Sequence, residues 1–137
     1  MKALRIPADA AVPVKDFLQA QLAVSEPGVH VALSLNNDWV PEINGVATDP
    51  AVVVFDDSGP IRWPISTHPQ IRITVWSNSR TRSRSIAGKC LGWLLALHVP
   101  GLAYISPGTT LIDDLDPQNG GRMASFTVNT TVRTLPL

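Results

Sequence analysis

The segment from residue 70 to residue 98 constrains the fold more than any other part of this 137-residue chain. Over residues 70–76, isoleucine and valine alternate with polar or aromatic residues, which is the period of a strand with one buried face. Serines at 77–79 then offer N-caps for a helix that we expect to run to about His98, where Pro100 stops it. A strand that leads directly into a helix favours a layered domain of helices and strands.

The remaining segments predict one more helix and several strands. A helix is predicted over residues 8–23, and strands over 29–33, 51–55 and 123–134. Residues 104–112 are predicted to form a short strand or a pair of extended pieces broken at Pro107-Gly108. The three prolines near residues 61–69 predict an edge strand or loop there, and residues 113–121 a polar loop. Together these predict an α+β fold, a mostly antiparallel sheet of four to five strands with two main helices packed on it, as a single domain over residues 1–137.

The long connection at about residues 36–50 is rich in Asn, Asp, Pro and Gly and carries Trp39. A structureless connection of this length is unusual in a small domain, so we interpret it as a contact arm or functional loop.

The second helix is predicted to be buried on two sides. Its core-facing stripe comprises Ile86, Cys90, Trp93, Leu94 and Leu97. The last turns are apolar on the other side as well, and Trp93 is predicted to lie in the core.

Composition excludes several classes of function. Lys plus Arg and Asp plus Glu each number 11, which argues against strong attraction to nucleic acid or acidic lipid. Charged residues make up 16% of the chain and apolar residues 45%, so we expect neutral or apolar exterior patches, which usually mark contact with another protein.

The single Cys90 excludes an intrachain disulfide and a thiolate-rich metal site. We expect no secretory signal in residues 1–13, and the apolar run at 86–99 is too short to span a bilayer.

Acidic residues raise the possibility of a metal-dependent enzyme. The candidate groups are Asp56 with Asp57, Asp113 with Asp114 and Asp116, and Asp38 with Glu42. These residues are also what turns are made of, and we prefer that interpretation. A small metal-dependent nuclease or phosphohydrolase using Asp56, Asp57 and Asp113 remains the alternative. The three histidines are scattered, Cys90 is predicted to pack as a small hydrophobe, and we predict no catalytic, cofactor-binding or metal-binding residue.

The start of the second helix is basic, with Arg80, Arg82 and Arg84. Positive charge there opposes the helix dipole at a cost of roughly a few tenths of a kcal/mol each, which favours an acidic partner. We consider an intersubunit contact with the acidic loop at Asp113 and Asp114, a surface facing passing DNA, or simply a solvated helix end. Arg80 and Arg84 share one face, and Arg82 lies roughly opposite.

The tryptophans complete the predicted interface. Trp76 and Trp63 are predicted to be partly exposed, and aromatic side chains are enriched at protein interfaces. The candidate interface residues are Arg80, Arg82, Arg84, Trp63, Trp76, Trp39, Asp113 and Asp114.

Three stretches of this chain carry a family resemblance. Trp-Pro-Ile-Ser at 63–66, Ile-Arg-Ile-Thr-Val-Trp at 71–76, and Ser-Arg-Thr-Arg-Ser-Arg at 79–84 opening an Ala/Gly/Leu-rich helix resemble the tail-terminator proteins of long-tailed siphophages, particularly those of actinobacterial hosts. The closing strand at 124–134 fits the same pattern. The likeness covers roughly the last two-thirds of the chain, and related tail-completion and head-closure proteins of the phage neck share the layout.

The resemblance implies a structural role in the virion. Such subunits form a ring, commonly a hexamer, on the last ring of the major tail-tube protein. The ring ends tube polymerisation and offers a surface to the head-tail connector or stopper protein, while DNA passes through the lumen without specific binding. It also implies synthesis in the host cytoplasm, a place at the tail-neck junction and no catalytic residue. A different class of function is a binding module that adds a partner strand to the edge of residues 123–134.

Overall fold

The structure is a computed structural model that describes residues 4–137, so the first three residues of the domain predicted over 1–137 lie outside the described residues. It belongs to the predicted α+β class. The helices are α1 (Ala11–Ser25) and α2 (Arg80–Ala96). The strands are β1 (Arg5–Ile6), β2 (His30–Ala32), β3 (Glu42–Ile43), β4 (Val46–Ala47), β5 (Ala51–Asp56), β6 (Ile61–Arg62), β7 (Ser66–Thr67), β8 (Gln70–Ser77), β9 (Tyr104–Leu115), β10 (Arg122–Arg133) and β11 (Leu135–Pro136).

The main sheet is mixed and has seven strands, more than the four to five predicted. Its path runs β2-β5-β8-β10-β7-β6, with β9 on the far side of β10, and only β2 and β5 are parallel. The higher count arises because two strands are interrupted. β7 continues the register of β8 against β10, and β6 continues β5 after one extra residue near Ser58, whose φ is 64°. Residues 51–77 therefore form one long hairpin with its turn at Trp63.

β10 lies inside the sheet and not at its edge. It pairs with β8 on one side and with β9 on the other. The predicted addition of a partner strand to residues 123–134 is therefore wrong, because the backbone groups of β10 are already paired. β9 is a continuous edge strand, as the first of the two interpretations of residues 104–112 predicts, and it extends to Leu115. Its register against β10 shifts on both sides of Thr109, next to Pro107-Gly108. A Cβ on Gly108 would lie 2.5 Å from the Thr127 hydroxyl, which explains why glycine occupies this position.

Both helices contribute to a core on one face of the sheet. Leu18 and Leu22 of α1 and Ile86 and Leu94 of α2 are fully buried there against alternate residues of β5, β8 and β10, such as Phe126. Each such side chain contributes about 1.5–3 kcal/mol by leaving water. The alternation predicted for residues 70–76 is confirmed, since Ile71, Ile73 and Val75 are all buried in this core.

The predicted start of α2 is confirmed, and the helix ends at Ala96, slightly before the expected His98. Ser79 is the N-cap, and its hydroxyl accepts a 3.1 Å hydrogen bond from the Arg82 backbone N–H. The predicted burial on two sides holds only in part: on the second side Ala87 is buried and Leu91 half-buried, but Leu95 is exposed. Within the predicted core-facing stripe, Trp93 is half-buried at the margin of the core, and Leu97 is exposed because it follows the last residue of the helix.

The opposite face of the sheet is covered in part by the arm, which we define as residues 33–50. Leu35 and Trp39 of the arm pack against Val53 and Trp76 of the sheet. The arm is not structureless, since it contains the β3–β4 hairpin. Asn44 and Gly45 turn this hairpin with φ values of 52° and 78°, which suits the turn that Asn-Gly favours.

Candidate interaction surface

The arginines at the start of α2 find their acidic partner within the same chain. The carboxylate of Asp113 on β9 lies 2.6 Å from Arg80 Nε and 2.7 Å from an Arg84 terminal nitrogen. Hydrogen bonds from Arg84 and then Arg80 lower the pKa of Asp113 below its ordinary value. The expected pairing of arginine with aspartate is present, but it forms within one chain. It joins α2 to β9 at the edge of the sheet and does not require a second subunit.

Arg82 and Asp114 lie outside this ion pair. Arg82 is exposed and points away from Asp113, as the helical spacing predicts. Asp114 is exposed and accepts a 2.8 Å hydrogen bond from the Leu115 backbone N–H. Within residues 4–137, neither side chain forms an ion pair.

Two of the predicted interface tryptophans are structural anchors. Trp76 is only 5% exposed, so its predicted exposure is wrong, and its indole N–H donates a 2.9 Å hydrogen bond to Asp116. The Trp39 indole N–H donates to the Asp49 carbonyl at 3.1 Å, which closes the arm on itself. A Cβ on Gly121 would lie 2.7 Å from the Trp39 ring and 3.1 Å from Trp76. Glycine at this position lets the arm lie close to the sheet.

Trp63 is the predicted interface tryptophan that does face outward. It is 42% exposed in the turn of the long hairpin and is flanked by exposed Ile61 and Ile65. We call Ile61, Trp63 and Ile65 the tip. Thr134 holds this turn in place: its backbone N–H donates to the Ile65 carbonyl at 3.1 Å, and its hydroxyl donates to the Pro64 carbonyl.

His68 joins the base of the tip to β10. One ring nitrogen lies 3.1 Å from the Ser66 hydroxyl and the other 3.1 Å from the Thr131 hydroxyl. A Ser-His pair is a familiar nucleophile and base, but Ser66 is buried and Thr131 lacks the carboxylate charge that stabilises an imidazolium. We therefore infer that Ser66, His68 and Thr131 stabilise the long hairpin.

A second apolar protrusion lies at the turn of the arm. Ile43 is 58% exposed and Val46 69% exposed, and they are direct cross-strand neighbours on the β3–β4 hairpin. We call these two side chains the knob. The sequence interpretation did not single out this hairpin, although Asn44-Gly45 between apolar residues is a strong local hairpin signal. Exposed apolar side chains that cluster in this way are typical of contact surfaces.

The acidic residues are spread over separate elements. Asp56 accepts a hydrogen bond from the Ser58 backbone N–H at 2.8 Å, and Asp57 pairs with Arg72 at 3.1 Å, as turn and surface residues do. β8 and β10 separate β5 from β9, so Asp56 and Asp113 are roughly 14 Å or more apart, too far to bind one ion. Among residues 4–137, His, Cys, Asp and Glu form no group of three placed to hold a metal.

Cys90 lies in the core, as predicted. It is fully buried, and desolvation raises the pKa of its thiol to about 12. The thiol is therefore protonated at neutral pH and packs as a small hydrophobe.

Comparison with known proteins adds no assignment to this surface. In the part of the chain that the structure describes, neither helix has the length and apolar character needed to cross a membrane. No protein-family model matches the chain, and no curated protein matches its sequence.

Proposed function

We propose that this protein is a structural virion subunit that forms a homo-oligomeric ring, a hexamer by its resemblance, at the end of a phage tail tube. The ring ends tube polymerisation and provides the surface for head-tail joining. The role comes from the resemblance of residues 63–84 to siphophage tail terminators. The structural observation that supports it is the presence of two apolar protrusions, the knob on the separate β3–β4 hairpin and the tip in the turn of the long hairpin.

A closed ring places a specific demand on its subunit. Each copy must carry two different, complementary surfaces, because a head-to-tail interface does not match a patch with itself. A typical interface covers about 800 Å² on each partner, so two of them would cover roughly a fifth of the 7739 Å² surface of this chain. The knob and the tip offer an apolar centre for each of two such surfaces.

The remaining partners follow from the same role. One face of the ring would meet the major tail-tube protein, and the other the head-tail connector or stopper protein. Equal numbers of acidic and basic residues suit a conduit through which DNA passes without specific binding. The protein would be made in the host cytoplasm and reside at the tail-neck junction. Arg80, Arg82, Asp114 and Trp63 are the predicted interface residues that the fold leaves exposed, and of these Arg80 pairs with Asp113.

A head-closure or tail-completion connector of the neck is the second candidate. These proteins also assemble as rings, so the same two protrusions support them. The two candidates differ in what the ring binds. A tail terminator caps the end of a tail tube, whereas a head-closure protein occupies another position in the neck.

Native mass spectrometry and negative-stain imaging test the proposal directly. The purified protein, alone or mixed with tail tubes, is expected to form rings and to cap one end of each tube. Addition during tube assembly is expected to stop elongation. Rings that bind DNA-filled heads but not tubes would select the connector instead. A protein that stays monomeric at high concentration and does not bind tubes or heads would contradict both.

A further inference from the structure

Charge is segregated along the chain to an unusual degree. From residue 31 to residue 61 the acidic residues are Asp38, Glu42, Asp49, Asp56 and Asp57, with no Lys, Arg or His. From residue 62 to residue 112 the basic residues are Arg62, Arg72, Arg80, Arg82, Arg84 and Lys89, together with His68 and His98, and there is no Asp or Glu. Net neutrality therefore conceals an acidic segment followed by a basic segment.

The arm retains its acidic charge in the folded chain. Asp38 and Glu42 are exposed, lie close in sequence to the knob, and form no ion pair within residues 4–137. Because the arm contains no basic residue, the knob is an apolar protrusion in an acidic surrounding.

The tip has the opposite character. Arg62 lies between Ile61 and Trp63, and its row in the sheet continues through Ser66 to Arg133 on β10. Arg62 and Arg133 therefore lie on the same side of the sheet, about 10 Å apart across two strand spacings. Both are exposed, and neither forms an ion pair with another described residue.

The arm and the tip lie at opposite ends of the long hairpin. The arm rejoins the sheet at Ala51, where β5 begins. The tip begins at Ile61, where β6 begins. The nearly continuous strand from Ala51 to Ile61 spans roughly 35 Å. The two surfaces complement each other in charge, and both are apolar at the centre. Within one chain they are too far apart to touch.

We infer that the arm of one copy docks on the tip of the next copy, with the knob against Trp63 and its neighbours and with Asp38 and Glu42 facing Arg62 and Arg133. This contact is heterologous, as ring closure requires, and it rests on the proposed ring function. Apolar side chains supply the buried centre, and the charges set orientation and exclude the reverse pairing.

An apolar cleft on α1 is a less suitable site for the knob. This cleft, of about 450 Å³, is lined by Val12, Pro13, Asp16, Phe17, Ala20 and Pro100. Its charged lining residue, Asp16, is an acid that already pairs with Lys15 at 3.2 Å, so the lining supplies no unpaired cation among the described residues. Arg62 and Arg133 at the tip form no ion pair within residues 4–137, so electrostatics favours the tip.

A charge-swap experiment tests the contact. One variant carries Arg62→Glu with Arg133→Glu, and the other carries Asp38→Arg with Glu42→Arg. Each alone should associate about tenfold or more weakly than the wild type, because like charges then face each other. An equimolar mixture should recover assembly, because both junctions in an alternating ring again pair opposite charges. Arg62→Lys with Arg133→Lys is the matched control and should assemble normally. Self-assembly of either reversed variant, or a mixture that fails to recover, would overturn the inference and leave the ring proposal standing.

Cysteine cross-linking decides the contact even if rings do not form. Copies with Ile43→Cys are mixed with copies carrying Ile65→Cys and oxidised, and the yield of mixed dimer is compared with that from Ile43→Cys and Val24→Cys. Val24 is 86% exposed and lies on α1, which contributes no residue to either protrusion, and native Cys90 is buried. A yield several-fold above the control supports the contact, and equal yields overturn it. A wild-type protein that never forms rings but gives the cross-link would contradict the proposed function alone.

Discussion

The guanidinium of Arg84 lies 2.7 Å from the carboxylate of Asp113, and this ion pair joins helix α2 to strand β9 within one chain. Arg80 contacts the same carboxylate at 2.6 Å. The basic helix start is therefore compensated inside the subunit, and its cost against the helix dipole is offset without a partner molecule. Arg80 and Arg84 therefore have an internal structural role, and the proposed contact between copies does not use them.

Reversing Arg84 should destabilise the fold, whereas reversing Arg82 should not. Arg84→Glu places a second carboxylate beside Asp113, while Arg82→Glu makes the same charge change two residues away on an exposed side of the helix. Both changes have a similar interaction with the helix dipole, so the difference between them reports the ion pair. Thermal melts followed by circular dichroism should show a lower midpoint only for Arg84→Glu. Equal shifts would show that Asp113 does not depend on Arg84.

Asp113 should contribute a pH-dependent stability. Because the folded pKa of Asp113 is lowered, its contribution is complete above its ordinary pKa of about 3.9 and is lost as the pH falls through the lower folded value. The thermal midpoint of Asp113→Asn should lie below that of the wild type at neutral pH, and the two should converge in strong acid. Asp114→Asn is the neighbouring control, since Asp114 forms no ion pair with residues 4–137. A constant difference at every pH would contradict the role of the charge.

Trp76 should be the most costly of the tryptophans to truncate. Trp76→Ala should lower the free energy of unfolding by about 3–5 kcal/mol, because the side chain is buried under the arm. Trp76→Phe keeps most of the packing and removes the hydrogen bond to the Asp116 carboxylate, at a cost of about 1.5–3 kcal/mol. Trp63→Ala is the matched control and should cost much less, since Trp63 is exposed. Urea unfolding followed by circular dichroism measures all three, and a small loss for Trp76→Ala would mean that the arm does not cover the sheet in solution.

Cys90 should react with thiol reagents only when the domain opens. Its burial and raised pKa leave almost no thiolate at neutral pH. Labelling of the native protein by a chromogenic disulfide reagent should therefore be slow and should accelerate with urea in step with unfolding. Ser85→Cys adds an exposed thiol on the same helix, and that thiol should react at once. Rapid labelling of native Cys90 would contradict its place in the core.

Local sequence patterns were sufficient to predict the elements that depend only on residues nearby in the chain. The alternation in β8, the β-branched run of β5 and the Ser79 cap of α2 each depend on neighbours a few residues away. For that reason their type and approximate bounds could be predicted. The Asn44-Gly45 turn belongs to the same local class, and it would have identified the β3–β4 hairpin within the arm.

Tertiary structure decided which faces are covered and which charges meet. Trp76 lies on the polar side of its strand by pattern, and the arm, distant in sequence, packs over it. Asp113 and Arg84 are 29 residues apart, so their pairing depends on β9 lying beside α2. The amino-acid sequence determined the class of fold and its main helix and strands, because periodicity is a local property. Burial and ion pairing depend on elements brought together from distant parts of the chain, so the three-dimensional packing alone separated the internal anchors from the knob and the tip.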